Sequence, residues 1–221
     1  MKKQKRIYTG TGALLILLFI IWTFLVQSVD VRIVEVTGTQ VGFAKLNFWF
    51  HRLTGVHLWL YIVTDWLSLI PFLICLIFGG IGFFQLVKRK SLLKVDFDIM
   101  FLGIYYAAII FFYLFFEEIP INYRPIKING IREVSYPSST TLLVLGVMHS
   151  LNFQINKRWK KTRIGKWIIF LSAFFSLFMV TGRLFSGVHW VTDIIGSILL
   201  STGIFYLYKA AVLLYGKEDG C

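Results

Sequence analysis

Arg183, His189 and Asp193 fall within eleven residues, in a stretch from Gly182 to Asp193 between two long apolar runs. Each of the three is costly at the edge of a bilayer, so their company calls for a chemical reason. His189 and Asp193 are four apart, the spacing of one helix face. An aspartate one turn from a histidine can hold one ring nitrogen and leave the other as a nucleophile or base. Arg183 lies across a short turn containing Gly187 and could grip a phosphate by two N–H groups.

Composition says what must carry these residues. The 221 residues are 57% hydrophobic, 18% aromatic and 15% charged, with a mean hydropathy of +0.73. That balance belongs to an integral membrane protein, with one membrane domain over residues 1–221 as the simplest count. The net charge of +12 raises the question of nucleic acid. The basic residues, however, flank apolar runs, as expected for loops on the cytoplasmic face, and no nucleic-acid partner is expected. Histidines and cysteines are too few and scattered for a zinc site, and no cofactor is expected. Cys75 lies in an apolar run and Cys221 ends the chain, which argues against a disulfide between them.

Six apolar spans are expected. The first, from Ala13 to Val26, follows Lys2, Lys3, Lys5 and Arg6, and no good small-residue cleavage site follows it. The others run over about 58–87, 97–116, 137–155, 167–181 and 188–215. Gly79, Gly80 and Gly82 in the second would permit close helix packing. Between the first two, residues 40–53 repeat Phe43, Leu46, Phe50 and Leu53 at helical spacing. That pattern fits a helix in the membrane interface or one covering the other spans. Six spans put both termini and the 88–94 and 157–166 loops on one side, with sixteen of the 23 Lys and Arg residues. That side reads as cytoplasmic. The 117–136 loop and the Arg183–His189 turn then face outward.

Three clusters meet on that outer face: Asn122-Tyr123-Arg124-Pro125, then Ser135 to Thr141, then the opening stretch. Pro137 suits a first helical turn and the hydroxyls around it suit capping. Free N–H groups at such a helix start bind anions. Two helix starts, two arginines, a histidine and an aspartate make a phosphate pocket.

With Arg-Pro, then Pro-Ser-x-x at a helix start, then Arg-x5-His-x3-Asp, residues 100–200 resemble the type 2 phosphatidic acid phosphatase family, whose core is related to vanadium haloperoxidases. The resemblance implies an all-helical, metal-independent membrane lipid phosphatase. His189 would form a phosphohistidine and Asp193 would orient its ring. Arg124 and Arg183 would hold the phosphoryl oxygens beside Ser138, Ser139 and Thr140. Gly182 stands where the family usually has Ser. Glu117 stands at the place of the first-block Lys, and Thr140 at that of the second-block His, which protonates the leaving group. Loss of a general acid is worth about 10²–10⁴-fold. Thr140 has no suitable pKa, and His149, nine residues along a helix, lies about 13 Å deeper.

Three readings of that loss stand side by side. The substrate is a diphosphate such as an undecaprenyl-type carrier lipid, whose leaving phosphate needs little acid help. Or another side chain, with His51 and His57 on the outer side, supplies the proton. Or the chain is a catalytically silent lipid-phosphate binding or transport protein. Lys127 and Arg132 could replace the lost Lys charge but read more simply as solvated loop charges. Asp65, near the outer end of its span, reads as a hydrated boundary residue, and Glu117 and Glu118 as the end of the third span.

Overall fold

The computed structural model describes residues 2–159 and 161–215; Lys160, Lys217 and Cys221 lie outside the described residues. Its elements are α1 (Lys2–Ser28), β1 (Arg32–Val34), β2 (Thr39–Val41), α2 (Ala44–Thr54), α3 (Leu58–Leu67), α4 (Leu69–Arg89), α5 (Phe97–Glu118), α6 (Ser139–Trp159), α7 (Arg163–Phe185) and α8 (Val191–Tyr215). The expected second span divides into α3 and α4 at Ser68. Pro71 is the cause in sequence: it offers no N–H to residue 67 and crowds the preceding turn.

Among the described residues, five segments are long and apolar enough to cross a membrane: Lys3–Ser28, Leu58–Arg89, Phe97–Glu118, Arg163–Phe185 and Val191–Leu214. The expected fourth span differs. It is present as α6, and its 21 residues reach about 30 Å. It is not among the five, and it buries Thr140, Thr141, Ser150 and Gln154. The reason is position, since α6 packs on α4, α5, α7 and α8. A helix enclosed by protein needs no lipid-compatible surface, so the outer helices carry the apolar demand instead. On α4, Phe72, Leu73, Leu76, Ile77, Phe83 and Phe84 are exposed. Its glycines do not pack as expected. A Cβ at Gly79 or Gly80 would meet nothing within 4 Å, and only Gly82 approaches another helix, at Ile99.

Polar contacts define the two ends of the bundle. At one end the buried Asp98 of α5 pairs with Lys157 (3.1 Å) and Arg158 (2.9 Å) of α6. There too, Lys209 of α8 lies 4.2 Å from the Tyr8 ring of α1. At the other end Trp22 of α1 donates to the Thr192 carbonyl (3.1 Å) and Thr23 meets Tyr136 (2.7 Å).

A cap covers that second end. Strands β1 and β2 form a short antiparallel hairpin, pairing Arg32 with Val41. Phe43 has no polar side chain with which to cap α2, so Asp30 accepts from the Lys45 N–H (2.7 Å) instead. The expected helix over 40–53 is this α2, and it packs on the start of α8. Asn47 donates to the Gly42 carbonyl (2.8 Å) and to Thr192 Oγ1 (3.1 Å). Phe48 lies against Trp190, with ring centroids 5.8 Å apart. Gly42 lets the hairpin touch α1: a Cβ there would stand 1.7 Å from the Val26 carbonyl oxygen. Gly42→Ala therefore destabilises the protein by about 1–3 kcal/mol. Gly10→Ala, with nothing within 4 Å of the added carbon, leaves stability unchanged or raised. Thermal unfolding in detergent, followed by circular dichroism, measures both.

Candidate active site

The loop 186–190 is fixed before its histidine is reached. Gly187 has φ +72°, and a Cβ there would lie 2.5 Å from the Gly55 carbonyl oxygen, so the loop presses on the α2–α3 junction. The His57 N–H donates to the Ser186 carbonyl (3.0 Å). Trp190 is buried, and its indole N–H donates to the Tyr123 carbonyl (2.8 Å).

Asp193 occupies the first turn of α8, and His189 precedes that helix. The two therefore do not share a helix face as their spacing suggested. Asp193 instead turns back, accepting the Trp190 N–H at Oδ2 (2.9 Å) and Asn122 Nδ2 at Oδ1 (3.3 Å). Its Oδ2 lies 3.7 Å from His189 Nδ1. The nearer acceptor for Nδ1 is the Ser135 carbonyl at 3.1 Å. The ring is thus held by a carbonyl and a carboxylate on its Nδ1 side, while buried Nε2 has no hydrogen-bond partner.

The arginines arrive from different elements. Arg124 sits on the 119–138 loop, which folds as a ribbon: Tyr123 bridges Val134 and Ile128 bridges Ile131. Asn129 and Gly130 at the tip both have positive φ, the backbone that an Asn-Gly turn requires. The Arg124 N–H donates to the Glu133 carbonyl (3.0 Å), and its Nη2 pairs with the Glu133 carboxylate (2.9 Å). Arg183, in the last turn of α7, is 2% exposed. Its Nη2 donates to Thr140 Oγ1 and to Asp65 Oδ1 (3.3 Å). Its Nη1 lies 3.5 Å from both the Tyr61 carbonyl and Thr64 Oγ1. The Tyr61 ring serves both guanidinium groups, 5.0 Å from that of Arg183 and 5.4 Å from that of Arg124.

Helix α6 completes the site. Pro137 lies outside the first turn where it was expected. Ser138 supplies the first capping carbonyl, to the Leu142 N–H (2.9 Å). Thr140 is already committed to Arg183. Among the described residues, most buried polar side-chain atoms without a hydrogen-bond partner gather here. They are Arg124 Nε and Nη1, Arg183 Nε, His189 Nε2, and the hydroxyls of Ser135 and Ser138. Most of these atoms are hydrogen-bond donors at a site carrying two cations, an arrangement suited to a multiply charged anion. Below it opens a cavity of about 600 Å³. Asp65, Glu117, Arg124, Glu133, Thr140 and Arg183 line its polar part, and Phe72, Ile109, Ile110, Leu114, Leu143 and Val147 its apolar part. Ser139 lines this cavity and a smaller one beside His189.

Other expected candidates lie elsewhere. His51 Nε2 bonds the Gly187 carbonyl (3.1 Å), and burial lowers its pKa. His57 bonds the Thr54 carbonyl (2.9 Å). His149 packs on Phe205 deep in the bundle. Lys127 and Arg132 are exposed. The structure adds Tyr61, Thr64 and Glu133, shows Asn122 and the Ser135 carbonyl of the expected clusters bonded to Asp193 and His189, and makes Asp65 a partner of Arg183. Tyr61, Thr64 and Glu133 carried no sequence signal, whereas Asp65 stood out as an acid inside an apolar run.

A family model described as the PAP2 superfamily matches residues 99–215. A solved structure described as the first transmembrane PAP2-type phosphatidylglycerolphosphate phosphatase from Bacillus subtilis is similar in fold. Its TM-score is 0.66 at 16% identity, with 94% of this chain and 98% of that chain covered. No curated protein matches the sequence.

Burial pushes His189 down from 6.5 to about 4, and the two arginines add to this against the Asp193 carboxylate. The imidazole is therefore neutral at pH 7, as a nucleophile must be. An unfolded chain takes up this proton near pH 6.5. Between that pH and about 4 the unfolded state binds more protons, so the contribution to stability falls as the pH is lowered through that window. Thermal midpoints should fall over it, and His189→Gln should flatten the decline. An equally steep decline in the variant would place the titration elsewhere.

Proposed function

Since the chain belongs to the PAP2 superfamily, we propose that it is a membrane lipid phosphatase acting through a phosphohistidine at His189. The observation that carries this reading is the free, buried Nε2 of His189 beside two arginines with unpartnered nitrogens. Nε2 attacks phosphorus. Arg124 and Arg183 hold the phosphoryl oxygens, where they stabilise charge that grows in the transition state. Asp193 and the Ser135 carbonyl hold the Nδ1 proton and stabilise the charged ring. Water then releases phosphate, and no step calls for a metal.

The cavity supports a lipid substrate, since its polar part takes a phosphate head and its apolar part a hydrocarbon chain. Thr140 selects the leaving group. Its hydroxyl accepts from Arg183 and has no proton of suitable acidity to give. A diphosphate, which expels a phosphate rather than an alkoxide, suits such a site. The substrate is therefore an isoprenyl diphosphate of the undecaprenyl type, ahead of monoesters such as phosphatidic acid or the phosphatidylglycerolphosphate of the similar structure. The charge bias supports a site on the extracytoplasmic face, both termini in the cytoplasm and α6 as a sixth crossing.

A second reading follows from the same contact. With Thr140 bound to the clamp, the pocket also suits a silent lipid-phosphate carrier. Phosphate release by the purified protein in detergent separates the two. Undecaprenyl diphosphate should be hydrolysed at least about 10²-fold faster than phosphatidic acid or phosphatidylglycerolphosphate. His189→Ala should abolish release, and Thr140→His should raise monoester turnover while sparing the diphosphate. Lipid binding without release from any of the three would establish the carrier instead.

A further inference from the structure

Hydrolysis of a phosphohistidine needs a group to take the proton from the attacking water, and the residues assigned above do not include one. His189 carries the phosphoryl group at that stage. Thr140 has no basicity, and His51, His57 and His149 are bonded or packed elsewhere. We propose that Asp65 of α3 is this base. The inference rests on the phosphatase reading.

Three observations carry it. First, Asp65 Oδ1 and Thr140 Oγ1 accept from the same nitrogen, Nη2 of Arg183. A carboxylate bonded to that guanidinium is within reach of water approaching a phosphoryl group held by it. Second, the Asp65 side chain is 56% exposed and lines the cavity with Arg124, Thr140 and Arg183, the space in which the proposal puts the attacking water. Third, α3 is fixed at this distance by a close approach to α7. A Cβ at Gly182 would lie 2.7 Å from Thr64 Cγ2, so the serine that usually stands there would push α3 back. Glycine at 182 and threonine at 140 thus both serve one junction, in which Tyr61, Thr64 and Asp65 surround Arg183. These three residues precede residue 99, where the family match begins. The other carboxylates facing the cavity are Glu133, bonded to Arg124 (2.9 Å), and Glu117, which also lines the smaller cavity beside His189; of the three, Asp65 is the one bonded to the guanidinium that Thr140 also meets.

The step balances. The Asp65 carboxylate takes a proton from water as the water oxygen bonds to phosphorus. The P–N bond breaks, and its electron pair returns to Nε2, leaving neutral His189 and inorganic phosphate. Asp65 then gives its proton to solvent. Attack on the diphosphate in the first step uses no acid, so a group acting only as a base completes the cycle.

Rapid-quench experiments with farnesyl diphosphate labelled on its terminal phosphate resolve the two steps, because phosphohistidine is acid-labile and stable to base. In the full-length parent, phosphoenzyme should form and decay. Asp65→Asn should form it at a rate within about threefold of the parent and lower its decay by about 10²–10⁴-fold, so that it accumulates to near one per protein. Thr140→His added to Asp65→Asn should restore decay, since it returns a base to the same guanidinium. Asp65→Glu should keep part of the decay rate and serves if the asparagine variant does not fold.

Equal slowing of both steps would make Asp65 a positioning residue for Arg183 and overturn the proposal. So would unchanged decay, or accumulation in Glu133→Gln in place of Asp65→Asn. A parent that forms no phosphoenzyme and releases no phosphate from any lipid tested would instead remove the phosphatase reading, and this proposal with it.

Discussion

The structure depends on a guanidinium almost wholly out of water. Burying a charged group without partners costs several kcal/mol, and Arg183 stands at 2% exposure among helices that cross a membrane. The fold meets that cost by convergence. Helix α7 carries the arginine, α6 offers Thr140, and α3 offers the Asp65 carboxylate, the Tyr61 and Thr64 oxygens and the Tyr61 ring. Other features follow from this junction. Gly182 has no side chain because α3 must come close, and Pro71 ends the short α3 so that α4 can begin after it.

Polar groups elsewhere are handled by the same logic. Helix α6 carries hydroxyls and amides that no lipid-facing helix would carry, and its neighbours enclose it. At its far end, Lys157 and Arg158 meet the buried Asp98. At its near end, Thr140 meets Arg183 and Ser139 lines the cavity. The apolar surface that a bilayer requires is displaced outward, above all to α4. One enclosed polar helix thus separates the site's chemistry from the lipid, while the cavity between α4, α5 and α6 keeps a route for a hydrocarbon chain.

The cap has a comparable role for the histidine. His189 belongs to no helix, and its loop is held from outside by the α2–α3 junction and by Trp190. Asp193 serves two ends at once, closing the first turn of α8 through the Trp190 N–H and lying beside the imidazole. Burial then keeps the ring neutral, with the arginines reinforcing the effect. The surroundings that order the loop also prepare the nucleophile.

Much of this was legible in the residues. Apolar runs between basic loops disclosed a multi-pass helical membrane protein, because lipid contact restricts composition over whole turns. Arg124, His189 and Asp193 stood out because polar groups beside a bilayer are costly enough to be rare. The Pro137 to Thr141 block marked a helix start by its capping chemistry. Other features were decided only when the chain folded. These include the Ser135 carbonyl on His189, Glu133 on Arg124, the Tyr61 ring between two arginines, and the commitment of Thr140 to Arg183. They also include the enclosure of α6, which was expected simply as one span among six. A sequence registers the cost of a residue in its own surroundings. Which partner meets that cost is settled by tertiary contacts, between residues as far apart in the chain as Asp65 and Arg183, and no local periodicity encodes those.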